Sequence, residues 1–443
     1  MKPAALARLA TKESDKPLSI GSKWAVWILR LLIGALFVVS GIAKDIDLWG
    51  FVFKIEEYLQ VWDVHVPRSL VVTGAFVLSA TEFMCGVFVM TGSYRRSALW
   101  VMMAMMMFML PLTFYIMIAS PVSDCGCFGD FMHVSNGATF AKNVVITAAL
   151  VYLLPRNGRL DGIYRPGVQW IVAVICGFYA LTVGLVGYNV QPMVDFRSFS
   201  AGTLLTPSDD EAEDNVEFEF VYERGSERRA FTADNLPDST WTFVDRRLIS
   251  GKAVGSRTEL IVTEADGTDA TADAFPDEGE QMTIVLPQYA RADASYTYTV
   301  NELQRLMDRR GGRLIEVAAI PEDKIDEWAD ISMATYPIYI ADETTLKEFS
   351  RGTMSVVYTS DGRVRWKRNL WSVPPVILNP EGSDPQEVID ALTPWGAHDF
   401  ARISLIVASL ILLLAAADRA DVLRHIVRQE RRRKAAAAKS DEN

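Results

Sequence analysis

Two cysteines separated by one glycine stand between two acids in Asp124-Cys125-Gly126-Cys127-Phe128-Gly129-Asp130. The chain has 443 residues and four cysteines, so this short stretch holds half of its thiols. Four chemistries fit such a pair and stay open at this stage: a redox-active dithiol, a structural disulfide, a metal site, and a tight turn that contains cysteine. A bridge between residues two apart is cramped, and strained bridges are easier to reduce. Gly126 allows the backbone to turn sharply enough to form one. A metal would need more ligands. Asp124, Asp130 and His133 are at hand, but their spacing matches no recognised site, so no metal is assigned. The two acids disfavour a thiolate.

The pair is held by apolar runs of membrane length. The turn follows residues 98–119 and precedes residues 139–154, and both runs carry almost no charge. Similar runs fill residues 24–43, 69–90 and 168–188, with a shorter one at 403–417. About 20 apolar residues cross a bilayer core of roughly 30 Å. The first run is too long, and wrongly flanked, for a cleaved signal peptide. Residues 45–66 mix Trp49, Phe53, Tyr58 and Trp62 with acids, which predicts a helix at the membrane interface. Glu56 and Glu57 read as its solvated face.

Charge orders these spans. The net charge of -11 is an average over an acidic segment, 191–400, and two basic ends. An acidic soluble segment argues against nucleic acid as a partner. Residues 1–23, the Arg95-Arg96 loop, the connector with Arg156, Arg159 and Arg165, and the tail with Arg431-Arg432-Arg433-Lys434 must share the cytoplasmic face. Six spans satisfy all four. The acidic segment and the cysteine turn then lie outside, which in a bacterium is the periplasm, where disulfides persist. The lipid bilayer is thus one partner, and a periplasmic protein the expected second.

The soluble segment reads in two parts. Residues 191–280 alternate short β-rich stretches with turns such as Asp266-Gly267, a small β-domain. Residues 281–395 change to strand, helix, strand, closing on a hairpin at Ser360-Asp361-Gly362. A sixth span at 401–417 and a disordered basic tail, 418–443, complete the chain.

Other residues invite chemistry. Glu82 in the second span is costly in hydrocarbon unless paired, and Lys44 at the end of the first span is its candidate partner. Cys85 and Cys176 are single thiols in apolar spans and read as packing. Met102, Met103, Met105, Met106, Met107 and Met109 could bind Cu(I), but they cover every face of a helix and also read as packing. No phosphate loop, Ser-His-Asp set or zinc spacing occurs.

The membrane half resembles the DoxX family and the related MauE (methylamine utilisation) membrane proteins over residues 24–155. The resemblance rests on Leu31-Leu32-Ile33-Gly34-Ala35-Leu36-Phe37-Val38-Val39-Ser40-Gly41-Ile42-Ala43-Lys44, on Phe53-Lys54-Ile55-Glu56-Glu57-Tyr58 and on the cysteine turn. The layout resembles DoxX proteins of Bacteroidetes that append a periplasmic domain and a final helix. It implies a four-helix membrane bundle and, for the MauE branch, a part in disulfide formation in a partner. Residues 281–369 are similar to thioredoxin-like domains. However, Pro287-Gln288-Tyr289-Ala290-Arg291 replaces the usual Cys-x-x-Cys, and Met354 stands in the cis-proline position.

Two functions follow as expectations. One is a thiol-redox membrane protein using Cys125 and Cys127, supported by Asp124, Gly126, Asp130, Lys44 and Glu82. Its electron acceptor would be a quinone, for which no pocket is legible. The other is a non-catalytic scaffold whose soluble domain binds partners.

Overall fold

The computed structural model describes residues 19–119, 126, 134–205, 217–224, 227–232, 242–250, 260–374 and 384–441. They form two compact units, Met1–Asp195 with Trp395–Asn443, and Phe196–Pro394.

In the first unit, six helices among the described residues are long and apolar enough to cross a membrane. They are α1 (Ile20–Ile46), α3 (Arg68–Thr91), α4 (Arg95–Ala119), α5 (Asn136–Arg156), α6 (Gln169–Asn189) and the final helix (Ala397–Asp441), with α2 (Leu48–Val61) lying between the first two. Lipid gives no hydrophobic drive between helices, so close backbone approach matters. Gly34 and Gly41 of α1 face Gly86 and Phe83 of α3. A Cβ on Gly86 would lie 2.7 Å from the Gly34 carbonyl oxygen and 2.7 Å from the Val38 nitrogen.

Asp47 separates α1 from α2 and caps the latter, its carboxylate accepting from the Gly50 N–H at 2.9 Å. The amphipathic helix foreseen at 45–66 therefore starts later, and Lys44 and Asp45 remain on α1. Its apolar face packs on the bundle. Trp49 is 1% exposed, stacks on Tyr188 at 4.9 Å between ring centroids, and donates its indole N–H to the Tyr188 carbonyl.

The final helix corrects the disordered tail. It runs 45 residues through the basic cluster to Asp441. The reason is local: from Ala397 to Lys439 there is no glycine or proline, and Ala, Arg, Lys, Gln and Glu are strong helix formers. Low complexity here means helix propensity.

The second unit holds two sheets. Strands β1 (Glu217–Arg224), β2 (Glu227–Thr232) and β3 (Thr242–Ser250) form an antiparallel sheet in the order β2-β1-β3. The larger sheet contains β4 (Glu280–Leu286), β5 (Arg313–Ala318), β6 (Ile338–Ile340), β7 (Ser355–Ser360) and β8 (Arg363–Asn369), in the order β6-β5-β4-β7-β8. β4, β5 and β6 run parallel, and β7 and β8 run antiparallel to their neighbours. Helices α7 (Thr297–Arg310), α8 (Ile325–Ser332) and α9 (Glu343–Phe349) supply the crossovers, and α10 (Pro385–Leu392) follows.

Both faces of this sheet are covered. Met282, Ile284 and Leu286 meet Leu303, Met307, Trp328 and Leu392 on one side. Val285 and Val357 meet Phe349, Phe199, Val262 and Phe275 on the other. This explains why β4 is buried on both faces, from Gln281 through Leu286, rather than alternating between core and solvent. It also moves a boundary: residues 196–205 and 260–275, read from sequence as part of a β-domain ending at 280, pack on the larger sheet. The β7–β8 hairpin turns at Asp361 (φ +53°) and Gly362 (φ +67°), the positive-φ pair of a type I′ turn.

Candidate functional site

The glycine contacts between α1 and α3 set the register in which their polar residues meet. Lys44 Nζ lies 2.8 Å from both carboxylate oxygens of Glu82, and Ser40 Oγ donates to Glu82 Oε2 at 2.9 Å. Ser40 and Lys44 are four apart, so they share one helix face. The Lys44 side chain is 3% exposed and that of Glu82 12%. Lys44 Nζ also stands 5.0 Å from the centroid of the Phe51 ring, whose face adds a cation–π attraction.

Beside the pair is a small cavity of about 30 Å³. It has room for a water molecule or two, and polar walls suit water. Lys142 and Asn143 of α5 close it, together with Ser40, Lys44 and Glu82. Asn143 is buried and donates to Thr113 Oγ1 of α4 at 3.3 Å. Four helices thus contribute polar atoms to one buried spot.

One residue further along α1, Asp45 is 1% exposed and accepts from Ser79 Oγ of α3. Its second oxygen, Oδ2, has no partner among the described residues. The cluster therefore holds two cations and two carboxylates that hydrocarbon would not tolerate singly.

The cysteine turn is represented by its central residue. Gly126 is buried and adopts φ +65°, the left-handed region that favours glycine. Its Cα faces α2: a Cβ there would sit 2.6 Å from Lys54 Cγ. Lys54 forms an ion pair with Glu57 at 2.8 Å. A lysine stem thus lies against the glycine between the two cysteines. Cys125, Cys127, Asp124, Asp130 and His133 lie outside the described residues.

Of the residues nominated from sequence, the structure brings Lys44 and Glu82 together. Cys85 and Cys176 are free thiols, 5% and 0% exposed, within apolar clusters. Met102, Met103 and Met106 are buried among apolar neighbours, whereas Met107 is exposed. No group of three or more His, Cys, Asp or Glu that could hold a metal occurs among the described residues. Sequence reasoning missed Ser40, Asp45 with Ser79, Lys142 and Lys54. Lys142 carried a signal, a charge within a membrane span. Asp45 and Lys54 had been assigned to the interface.

Residues 22–156 match the family model of methylamine utilisation protein MauE. This stretch, which holds the first four membrane-length helices, is MauE-like. Every residue of the polar cluster, with Lys54 and Gly126, falls within the matched stretch. Residues 216–250, the three-stranded sheet beyond the MauE-like region, match a domain of unknown function, DUF8463. No curated protein and no solved structure matches the chain.

Proposed function

We propose that the chain is a MauE-like protein of the bacterial inner membrane in which Cys125 and Cys127 form a thiol-disulfide exchange pair on the periplasmic side. The observation that carries this reading is the left-handed Gly126 resting against Lys54. The contact is with the lysine stem, and the ammonium at its end is paired with Glu57; within reach of the pair, that ammonium would favour thiolate over thiol, and thiolate is the nucleophile in exchange. Asp124 and Asp130 act in the opposite sense. Lys44 and Glu82 support the bundle beneath.

In the exchange, a thiolate of a reduced partner attacks one sulfur of the oxidised pair. The S–S bond breaks and the displaced cysteine takes up a proton. The partner's second thiolate then attacks the mixed disulfide and releases the other cysteine. The partner loses two electrons and two protons and the pair gains them. A lipid-soluble quinone is the class of acceptor that would return the pair to the disulfide.

The orientation belongs to this proposal: both termini cytoplasmic, residues 191–400 periplasmic. It is supported by the gathering of basic residues at one end of the bundle. There Arg165 pairs with Asp418 of the final helix at 2.6 Å, and Asn157, which follows α5, donates to the Arg95 carbonyl. The soluble unit joins the proposal as a thioredoxin-like carrier. Its parallel β4–β5 pair beside the antiparallel β7–β8 hairpin supports that likeness. It contains no cysteine, so it would hold a partner rather than exchange with it. The same lack favours a second reading, a non-catalytic scaffold.

The test is trapping in membranes with Cys125→Ala and Cys127→Ala made separately in the full chain. Exchange predicts a mixed disulfide with a protein partner in at least one variant. If neither forms an adduct, and both thiols of the parent chain alkylate freely under oxidising conditions, the scaffold reading replaces it.

A further inference from the structure

A cavity of about 570 Å³ opens at the basic end of the membrane unit. Three segments distant in sequence each bring arginine to its wall: Arg95 and Arg96 at the start of α4, Arg165 in the α5–α6 connector, and Arg419 on the final helix. Arg165 is already held, its Nε 2.6 Å from Asp418 Oδ1 and its Nη2 2.8 Å from Asp421 Oδ2. The other three have no carboxylate partner among the described residues. Arg419 Nη2 donates to the Gly162 carbonyl at 2.6 Å and Arg95 Nη2 to that of Gly158 at 3.4 Å, which leaves further donors on each guanidinium. Asp161 is the one acid among the lining residues.

The cavity is built rather than incidental. Its floor is the contact of Gly92 with Gly162, where a Cβ on Gly92 would lie 2.6 Å from Gly162 Cα. The Ile163 N–H donates to the Thr91 carbonyl at 2.7 Å and fixes the connector there. Behind Gly92 stands Arg30, fully buried, with Asn157 as its main partner. Its Nη1 has no hydrogen-bond partner among the described residues, and it would lie 3.6 Å from a Cβ on Gly92. A buried cation behind the floor adds to the positive potential.

We propose that this cavity binds the phosphate of an anionic phospholipid headgroup. Forked guanidinium groups match phosphate oxygens in charge and geometry. The volume falls within the usual range for small-ligand sites. Its place at the ends of membrane-spanning helices, where headgroups lie, favours a lipid over a soluble phosphate ester. The inference rests on the bundle alone and stands whether or not the cysteine pair is redox-active.

The experiment uses the full chain purified in detergent and native mass spectrometry with added phosphatidylglycerol or phosphatidylcholine. Glycerol 1-phosphate serves as the soluble competitor. Phosphatidylglycerol should be retained in preference, and the double variant Arg96→Gln/Arg419→Gln should lose about tenfold in retention, because two charge-assisted contacts are removed. If that variant does not fold, the parent chain decides: its preference for phosphatidylglycerol should fall with added salt. Equal retention of the two lipids, or unchanged retention by a folded double variant, overturns the proposal. Displacement of the lipid by glycerol 1-phosphate would assign the cavity to a soluble ester and overturn the lipid assignment.

Discussion

Breaking the Lys44–Glu82 pair from one side should cost far more than removing both partners. Lys44→Met leaves Glu82 with Ser40 as its one hydrogen-bond donor among the described residues, in a site where its side chain is 12% exposed. Two unit charges about 4 Å apart attract by roughly 4 kcal/mol at an effective dielectric constant near 20. Removing one member of a buried pair costs about 3–5 kcal/mol, because the remaining charge has lost its compensation. The two estimates agree, so each single variant, Lys44→Met or Glu82→Met, should lose about 4 kcal/mol. The double variant keeps the volume and leaves no orphaned charge, and should fall within about 1–2 kcal/mol of the parent. The coupling energy of the cycle is then several kcal/mol, well above what non-interacting sites give. Unfolding of the full chain by a denaturing detergent in mixed micelles, followed by circular dichroism, measures all four species. Single variants each costing less than about 1 kcal/mol, with an additive double, would refute the claim that this pair is a desolvated element of the bundle.

Four further outcomes are expected. Gly86→Leu should separate α1 from α3 and lower bundle stability by several kcal/mol, whereas Gly74→Leu, on the same helix with nothing within 4 Å, should not, as the same unfolding assay will show. Gly126→Val should hinder bridging of Cys125 and Cys127 without removing a thiol, read by alkylation and mass measurement before and after mild reduction. Lys54→Met should slow alkylation of the reduced pair near neutral pH and shift its pH profile upward, while Lys54→Arg should preserve it. Glu316 is fully buried and accepts from the Trp328 indole N–H at 2.8 Å; burial pushes its carboxyl up to about 7, against the hydrogen bonds of Trp328 and Tyr336. It stays protonated in the fold while the unfolded chain ionises, so its stabilising contribution is complete below about pH 4.5 and is lost as pH rises to about 7. Glu316→Gln should remove that dependence and gain roughly 3 kcal/mol at pH 8, measured by hydrogen exchange of β5.

Much of this architecture was legible because one physical rule governed each part. Apolar length located the spans within a few residues of α1, α3, α4, α5 and α6. The Asp361-Gly362 pair announced its turn because few residues other than glycine and aspartate tolerate the φ values it needs. A lone carboxylate in a span demanded a partner, and Lys44 was the nearest cation by topology. Where two rules competed, the outcome was hidden. Residues 260–275 carry short apolar patches and turn back at Asp266-Gly267, where Thr263 bridges Asp269, a local signal that fits a separate β-domain equally well. Burial against Val285 and Phe349 decided their place, and that is a tertiary effect. Asp45 looked interfacial until the cap at Asp47 placed it inside α1 beside Ser79. Lys54 gave no local signal at all; its relevance comes from contact with a residue 72 positions later.

The uninterrupted final helix fixes a height. Arg431 lies thirteen residues beyond Asp418, where the helix is clamped to the connector. At 1.5 Å per residue that is roughly 20 Å of rod. A flexible basic tail would settle on an anionic bilayer, because each lysine or arginine gains attraction within about a Debye length of the surface. A stiff helix that continues along the line of its own span carries the charges past that distance, about 8–10 Å at physiological salt. Arg431, exposed at that height, would then stand above the membrane and be met first by macromolecules approaching from solution.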